Sequence, residues 1–137
     1  MQQQLNAAGF KVELKIPEIG AFIQDWRNSN FDAFVSTNAG SPEPDDYFFR
    51  TFKTGGSTNV FKYSNADLDK LLDEGRSTMA PAARKAAYDK AQAILACAGP
   101  IAHLAYGQLF TAARSNVTGF DIIANRSLSS LASTTQK

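Results

Sequence analysis

The fold is decided by the stretch FKVELKI, residues Phe10–Ile16, in which apolar and charged side chains alternate without exception. Because successive side chains of a β-strand point to opposite faces, this alternation predicts a strand with one buried face. The residues before it, from Gln2 to Ala8, are mostly good helix formers and stop at Gly9, a residue suited to a helix C-terminus. A helix that leads straight into a half-buried strand is typical of an α/β layer.

The same order of elements continues downstream. Apolar residues from Ile19 to Trp26 follow helical spacing and predict an amphipathic helix over Gly20–Asn28. The apolar stretch Phe31–Thr37 predicts a second strand. Helix, strand, helix and strand at this pitch indicate a sheet with parallel neighbouring strands.

Two more helices are predicted in the second half of the chain. Ser64 and Asp67 have the spacing of a capping box with Ser64 as the N-cap, and the helix that follows is expected to end at Gly75. Pro81 fits the first turn of the next helix, which is expected to run to about Ala96.

The last part of the chain is predicted to be extended. Ile101–Arg114 alternates weakly and predicts a long strand, and Phe120–Ile123 predicts a short one. The tail 127–137 is rich in Ser and Thr and is expected to be flexible. The predicted organisation is one α/β lobe over residues 1–126, followed by this tail.

The stretch STNAGSPEPDDYFF, residues Ser36–Phe49, joins the second predicted strand to a short aromatic helix expected over Asp45–Phe52. Small residues let a ligand approach the backbone closely, and the two prolines stiffen the loop. The stretch therefore predicts one wall of a small-molecule pocket.

The composition is typical of one globular domain, with 137 residues of which 44% are hydrophobic. Its 14 basic and 13 acidic residues are scattered, so nothing favours binding to nucleic acid. Cys97 is the only cysteine, which excludes an internal disulfide. No apolar run approaches the ~18 residues of a membrane span, and the residues after Met1 lack the pattern of a signal peptide.

Few residues of this chain are of the types that carry catalysis. His103 and Cys97 lie on either side of a predicted helix break, a spacing that favours neither a zinc site nor a nucleophilic pair. Glu43, Asp45 and Asp46 could form a carboxylate pair for acid–base chemistry. Asp45 and Asp46, however, lie where negative side chains cap and stabilise a helix N-terminus, so capping or simple exposure to solvent is favoured. The rival interpretation is a small complete α/β hydrolytic enzyme that uses Asp45 or Asp46 with His103.

Six motifs follow one another along residues 2 to 121. They are the helix–glycine–strand entry Gln2–Leu14, the helix and strand Phe22–Ala33, the loop Pro42–Phe48, the helix start Tyr63–Leu72, the long helix Ala82–Leu95 and the closing stretch Pro100–Phe120. In this order they resemble the C-terminal lobe of extracellular solute-binding proteins that serve peptide, opine, nickel and oligosaccharide ABC importers (solute-binding protein family 5).

The resemblance implies one lobe of a periplasmic-binding-protein-like (type II) fold, with a mixed sheet flanked by helices. It implies half of a ligand-binding cleft that captures a small solute, with no catalytic residues, no metal and no cofactor. The residues expected to bind the solute are Asn38, Ala39, Gly40, Ser41, Tyr47, His103 and Tyr106.

One departure from the family bears on the solute. Peptide-binding members carry an aspartate in this loop that pairs with the amino terminus of the peptide, whereas Asn38–Ser41 has no acid. A neutral or anionic solute, such as an opine-like or sugar-like compound, is therefore favoured, and a peptide-like solute stays open.

The expected partners follow from the family. In an intact parent protein they are a first lobe and the permease of an ABC transporter, in the periplasm. The chain itself is expected to be an isolated fragment without a signal peptide, which self-associates through the surface that would face the first lobe.

Overall fold

A computed structural model describes residues 1–37, 42–108, 110–121 and 127–137. The chain divides into two units, Met1–Phe34 and Val35–Lys137. The predicted domain boundary at residue 126 lies outside the described residues and stays a prediction. None of the described helices is long and apolar enough to cross a membrane.

The first unit contains two helices, α1 (Gln2–Ala7) and α2 (Ile19–Arg27). Gly9 follows α1 with a φ of +94°, a left-handed conformation that glycine adopts without strain. The ring of Phe34 packs edge-on against two others, with centroids 5.9 Å from Phe22 and 4.8 Å from Phe31. Both predicted helices of this unit are confirmed.

The two predicted strands of the first half are wrong for the described residues. Neither Phe10–Ile16 nor Phe31–Thr37 belongs to a sheet. In the first stretch, side-chain amides of α1 take the place of a neighbouring strand: Gln2 Nε2 donates to the Val12 carbonyl at 3.0 Å, and the Val12 N–H donates to Asn6 Oδ1 at 3.0 Å. Alternation encodes which face of a strand is apolar, but a sheet also needs a second strand for its backbone hydrogen bonds.

The second unit is built on α3 (Pro44–Phe52), α4 (Ala66–Ser77) and α5 (Pro81–Ala98). Pro81 opens α5 as predicted, and Gly99 is its C-cap. The N-cap of α4 is Asn65 and not Ser64, because Asn65 Oδ1 accepts from two N–H groups of the first turn, at 3.0 Å and 2.9 Å.

Gly75 does not end α4, which is a second correction to the predicted helix. Gly75 is a buried residue inside α4, and the ring of Tyr88 on α5 lies against it. The absence of a side chain at this position lets the two helices approach closely, so the glycine serves packing and not termination.

The core of this unit lies where α3, α4 and α5 meet. Its buried members are Phe52, Leu68, Leu72, Tyr88 and Ala91, and Leu68 and Leu72 are both 0% exposed. Further aromatic side chains of α3 pack on this cluster. The predicted aromatic helix after the prolines is therefore an element of the core.

The late strands differ most from the prediction. The described part of Ile101–Arg114 contains no strand. The sheet that is present consists of β1 (Val117–Thr118) and β2 (Thr135–Gln136), paired antiparallel with Val117 opposite Gln136. The described residues of Phe120–Ile123 also lack a strand, and residues 122 and 123 lie outside the described residues.

The C-terminal segment carries both β2 and a 3₁₀-helix, Ser129–Ser133. The expected flexibility of residues 127–137 stays a prediction. The fold is thus helical with one small sheet among the described residues, and the mixed sheet of the sequence prediction is absent from them.

Candidate functional site

The described members of the predicted ligand-binding set, Tyr47, His103 and Tyr106, lie on separate segments of the second unit. Asn38, Ala39, Gly40 and Ser41 are outside the described residues. Tyr47 lies half-buried on α3, with its ring centroid 5.9 Å from that of Phe48 and 5.6 Å from that of Phe52. Tyr47 is therefore part of the aromatic packing around the core.

His103 and Tyr106 are brought together in the segment that follows α5. Their rings stack with centroids 6.3 Å apart and planes inclined by 11°, and both side chains are exposed. A pair of exposed, stacked rings offers a flat surface on which an apolar face of a solute can lie. Whether these residues bind a solute stays a prediction.

The first turn of α3 is held by five side chains that we call the anchor cluster: Glu43, Asp45, Arg76, Arg84 and Tyr88. Glu43 is the N-cap of α3, and its carboxylate accepts from the Asp45 N–H at 3.0 Å. The N-cap of α3 is thus Glu43, whereas the sequence favoured Asp45 and Asp46, which lie in the first turn of the helix. Asp45 also lies in the first turn, where a negative charge stabilises the helix dipole.

Arg84 joins three helices through its guanidinium group. From α5 it donates to both carboxylate oxygens of Glu43, with N–O distances of 2.5 Å and 3.3 Å. Its Nε donates to the Gly75 carbonyl of α4 at 3.0 Å, and its guanidinium carbon lies 5.6 Å from the centroid of the Tyr88 ring. A bidentate ion pair of this kind fixes the relative orientation of the two side chains as well as the distance between them.

Arg76 makes the matching contact with Asp45. Its Nε lies 3.1 Å from each carboxylate oxygen, and its Nη2 lies 2.8 Å from Oδ2. The guanidinium also stacks on the ring of Phe49, 3.2 Å from the centroid. The Tyr88 hydroxyl donates to Asp45 Oδ1 at 3.2 Å, so Asp45 is held from both α4 and α5.

The electrostatics of the cluster favour the ionised forms of Glu43 and Arg76 and the protonated form of Tyr88. The hydrogen bond from Arg84, assisted by the Asp45 N–H, holds the pKa of Glu43 below its ordinary value. The hydrogen bond to Asp45 raises the pKa of Arg76. Burial raises the pKa of Tyr88, so its hydroxyl keeps the proton that it donates.

A pH dependence follows from the lowered pKa of Glu43. Since the carboxylate is favoured in the folded state, its contribution to stability is present above its ordinary pKa of 4.5 and is lost as the pH falls through the lower folded-state value. We expect Glu43→Gln to lower the melting temperature at neutral pH, and its difference from the wild type to be smaller at about pH 3.

Thermal melting followed by circular dichroism at both pH values checks this. Glu74→Gln, an exposed glutamate of α4, is the control and is expected to change the melting temperature little. An equal wild-type-to-variant difference at both pH values for Glu43→Gln would contradict the assignment.

Arg76 and Arg84 carry no local signal in the sequence. Their carboxylate partners lie 31 and 41 residues away along the chain, beyond the reach of any spacing rule. Within the described ranges, no three His, Cys, Asp or Glu side chains cluster as metal ligands would. Ion pairs and hydrogen bonds to Glu43 and Asp45 thus hold the first turn of α3 against α4 and α5.

Two curated proteins are similar to most of this chain. It is 25% identical over 126 residues to the probable di/tripeptide-binding protein 5 of Pseudomonas aeruginosa (strain UCBPP-PA14), covering 89% of this chain and 24% of that protein. It is 28% identical over 131 residues to the oligopeptide-binding protein AppA of Bacillus subtilis (strain 168), covering 93% of this chain and 24% of that protein.

The chain spans 24% of the length of each of these curated relatives. No protein-family model matches it, and no solved structure does. The resemblance drawn from the six motifs is confirmed: over most of its length this chain is similar to a segment of peptide-binding proteins of the solute-binding class.

Proposed function

We propose that this chain forms one wall of the ligand-binding cleft of a solute-binding protein that serves an ABC importer. The observation that carries this proposal is the similarity to two proteins named for binding peptides, which extends over 89% and 93% of the chain. The chain captures a small solute and performs no covalent chemistry on it. In a longer parent protein the second wall comes from another lobe, and the loaded protein docks on a transporter permease outside the cytoplasmic membrane.

The anchor cluster supports a role for the loop that precedes it. Asn38–Ser41 leads directly into Pro42, and the next residues are held by Arg76 and Arg84. A binding-site segment that is already ordered loses less conformational entropy on ligand binding than a flexible one does. Its contacts with the ligand therefore give a higher affinity. In this proposal the loop residues contact the solute together with Tyr47 and the stacked pair His103 and Tyr106.

The same contacts favour binding over hydrolysis. Asp45 accepts hydrogen bonds from Arg76 and Tyr88, so its carboxylate has a structural role. Asp46 lies 3.9 Å from Arg50 on the same helix and is exposed. Among the described residues neither carboxylate makes a hydrogen bond or ion pair with His103, whose ring stacks on Tyr106 instead, so we favour binding over the rival hydrolytic enzyme.

The solute class is proposed from the loop. The names of the relatives favour a peptide, whereas the lack of an acid over Asn38–Ser41 leaves no partner there for the ammonium group of a peptide. We favour a solute with neutral or anionic polar groups, opine-like or sugar-like, and keep a peptide-like solute as the second candidate.

Calorimetric titration of the whole chain tests the proposal, using octopine, maltose, trialanine and N-acetyl-trialanine as probes. Because one wall supplies only part of the contacts, we expect affinity of about 1 mM, or about −4 kcal/mol, for a preferred probe. Blocking the amine of trialanine is expected to leave its binding unweakened.

Tyr106→Ala is expected to weaken binding at least several-fold, because it removes one of the two stacked rings. Phe110→Ala is the matched control. Phe110 is an aromatic residue of similar exposure, 83% against 91% for Tyr106, and it lies outside the proposed site. Micromolar binding by this chain alone would contradict a half cleft. Absence of heat with every probe at about 10 mM would contradict solute binding.

A further inference from the structure

The stretch Phe10–Ile16 has two backbone edges. One edge is hydrogen-bonded to side chains of α1, and the other makes no hydrogen bond among the described residues; we call it the open edge. The N–H and C=O of Val12 are both taken by amide side chains of α1, at 3.0 Å each. Among the described residues, no hydrogen bond is made by the backbone groups of Lys11 or Glu13. Since successive residues of an extended chain direct their backbone groups to opposite edges, the open edge carries the groups of Lys11, Glu13 and Lys15.

Apolar side chains accompany this open edge. Phe10, Leu14 and Ile16 are 64%, 60% and 86% exposed, although the alternation that they belong to is typical of a half-buried strand. An open concavity borders the same residues and is lined by Asn6, Phe10, Lys11, Val12 and Glu13. An unpaired edge beside exposed apolar side chains is a template for pairing with another strand.

We infer that the open edge pairs antiparallel with the same edge of a second copy of this chain, with Val12 opposite Val12 of the partner subunit. The pairing forms a two-fold symmetric dimer in which the same patch contributes from both copies. This inference does not depend on the proposed function.

The charges along the edge select this register. When the two strands are centred on Val12, Lys11 faces Glu13 of the partner subunit, and the symmetric pair repeats the contact. The apolar face then places Phe10 opposite Leu14 of the partner subunit. The edge is therefore complementary to itself in both its charges and its apolar side chains, which favours a second copy of this chain as the partner.

The neighbouring registers are less favourable. Centring on Glu13 places like charges opposite each other, Glu13 against Glu13 of the partner subunit and Lys11 against Lys15 of the partner subunit. Centring on Leu14 places Pro17 of the partner subunit opposite Lys11, and proline has no N–H to donate.

Sedimentation equilibrium of the whole chain and of charge variants tests the inference. We expect Lys11→Glu and Glu13→Lys each to raise the dimer Kd about tenfold or more, because either change turns both symmetric attractions into repulsions. Mixing the two single variants is expected to restore dimers, since each variant supplies the charge that the other lacks. The double variant Lys11→Glu with Glu13→Lys is expected to dimerise as the wild type does.

Lys15→Glu is the matched control, because it makes the same change of charge on the same strand but faces Gly9 of the partner subunit in this register. We expect it to leave the dimer Kd within about twofold of the wild type. Circular dichroism of each variant checks that α1 and α2 are retained.

Three outcomes would overturn the inference. A wild-type chain that stays monomeric at about 1 mM leaves no dimer to explain. If a mixture of the two single variants associates no better than either variant alone, the register centred on Val12 is excluded. If Lys15→Glu raises the dimer Kd as much as Lys11→Glu does, the strands do not pair in this register. The edge then pairs in another way, for example with an unrelated extended peptide.

Discussion

Replacing Leu72 with alanine is expected to lower the free energy of unfolding of the helical unit by about 2–5 kcal/mol. Leu72 lies on α4, is 0% exposed and packs in the cluster that joins α3, α4 and α5. The truncated side chain loses its transfer free energy and leaves a cavity that the three helices fill only in part. Domains of this size have total stabilities of about 5–15 kcal/mol, so this single change removes a large share.

Urea unfolding followed by helical circular dichroism measures the effect. Leu104→Ala is the control, because this leucine is 64% exposed in the segment after α5 and its loss is expected to cost less than about 0.5 kcal/mol. Equal losses for the two variants would show that α4 does not pack as described.

The second large effect is expected at Gly75. Gly75→Ala is expected to destabilise the chain by about 1–3 kcal/mol, although alanine ordinarily favours a helix over glycine. A Cβ at this position would lie 2.9 Å from both Cε2 and Cζ of Tyr88. The ring has little freedom to move away, since Tyr88 is 4% exposed and its hydroxyl is bonded to Asp45.

Gly20→Ala is the matched control on α2. No atom lies within 4 Å of the Cβ that this change adds, so the expected result is a gain of about 0.4–1 kcal/mol. In the double variant Gly75→Ala with Tyr88→Leu, the two changes are expected to cost less together than the sum of their separate costs, because the contact that causes the clash is removed. A Gly75→Ala chain that is as stable as Gly20→Ala would refute the close approach of α4 and α5.

The helices were predictable because their signals are local. Pro81 and the capping carboxylate Glu43 each act within one turn of the helix that they begin. The N-cap of α4 was predicted one residue too early because Ser64 and its neighbour Asn65 are both good capping residues. Sequence alone does not decide between two such neighbours.

The strands and the anchor cluster depend on distant residues. The alternation over Phe10–Ile16 predicted a strand, but nothing in that pattern supplies the neighbouring strand that a sheet needs. Gly75 has the sequence signal of a helix end, and only its contact with Tyr88 shows why it lies inside α4. The pairs of Arg76 and Arg84 with the carboxylates of α3 bridge 31 and 41 residues and follow from tertiary packing alone.

In the proposed function the loop before the anchor cluster contacts a small solute. Amide NMR spectra of the whole chain, recorded during titration with the probe that binds best, test it most directly. We expect chemical-shift changes concentrated at Asn38–Ser41, Tyr47 and the segment from His103 to Tyr106. Saturable changes concentrated on α2 or α4, with these residues unmoved, would contradict it.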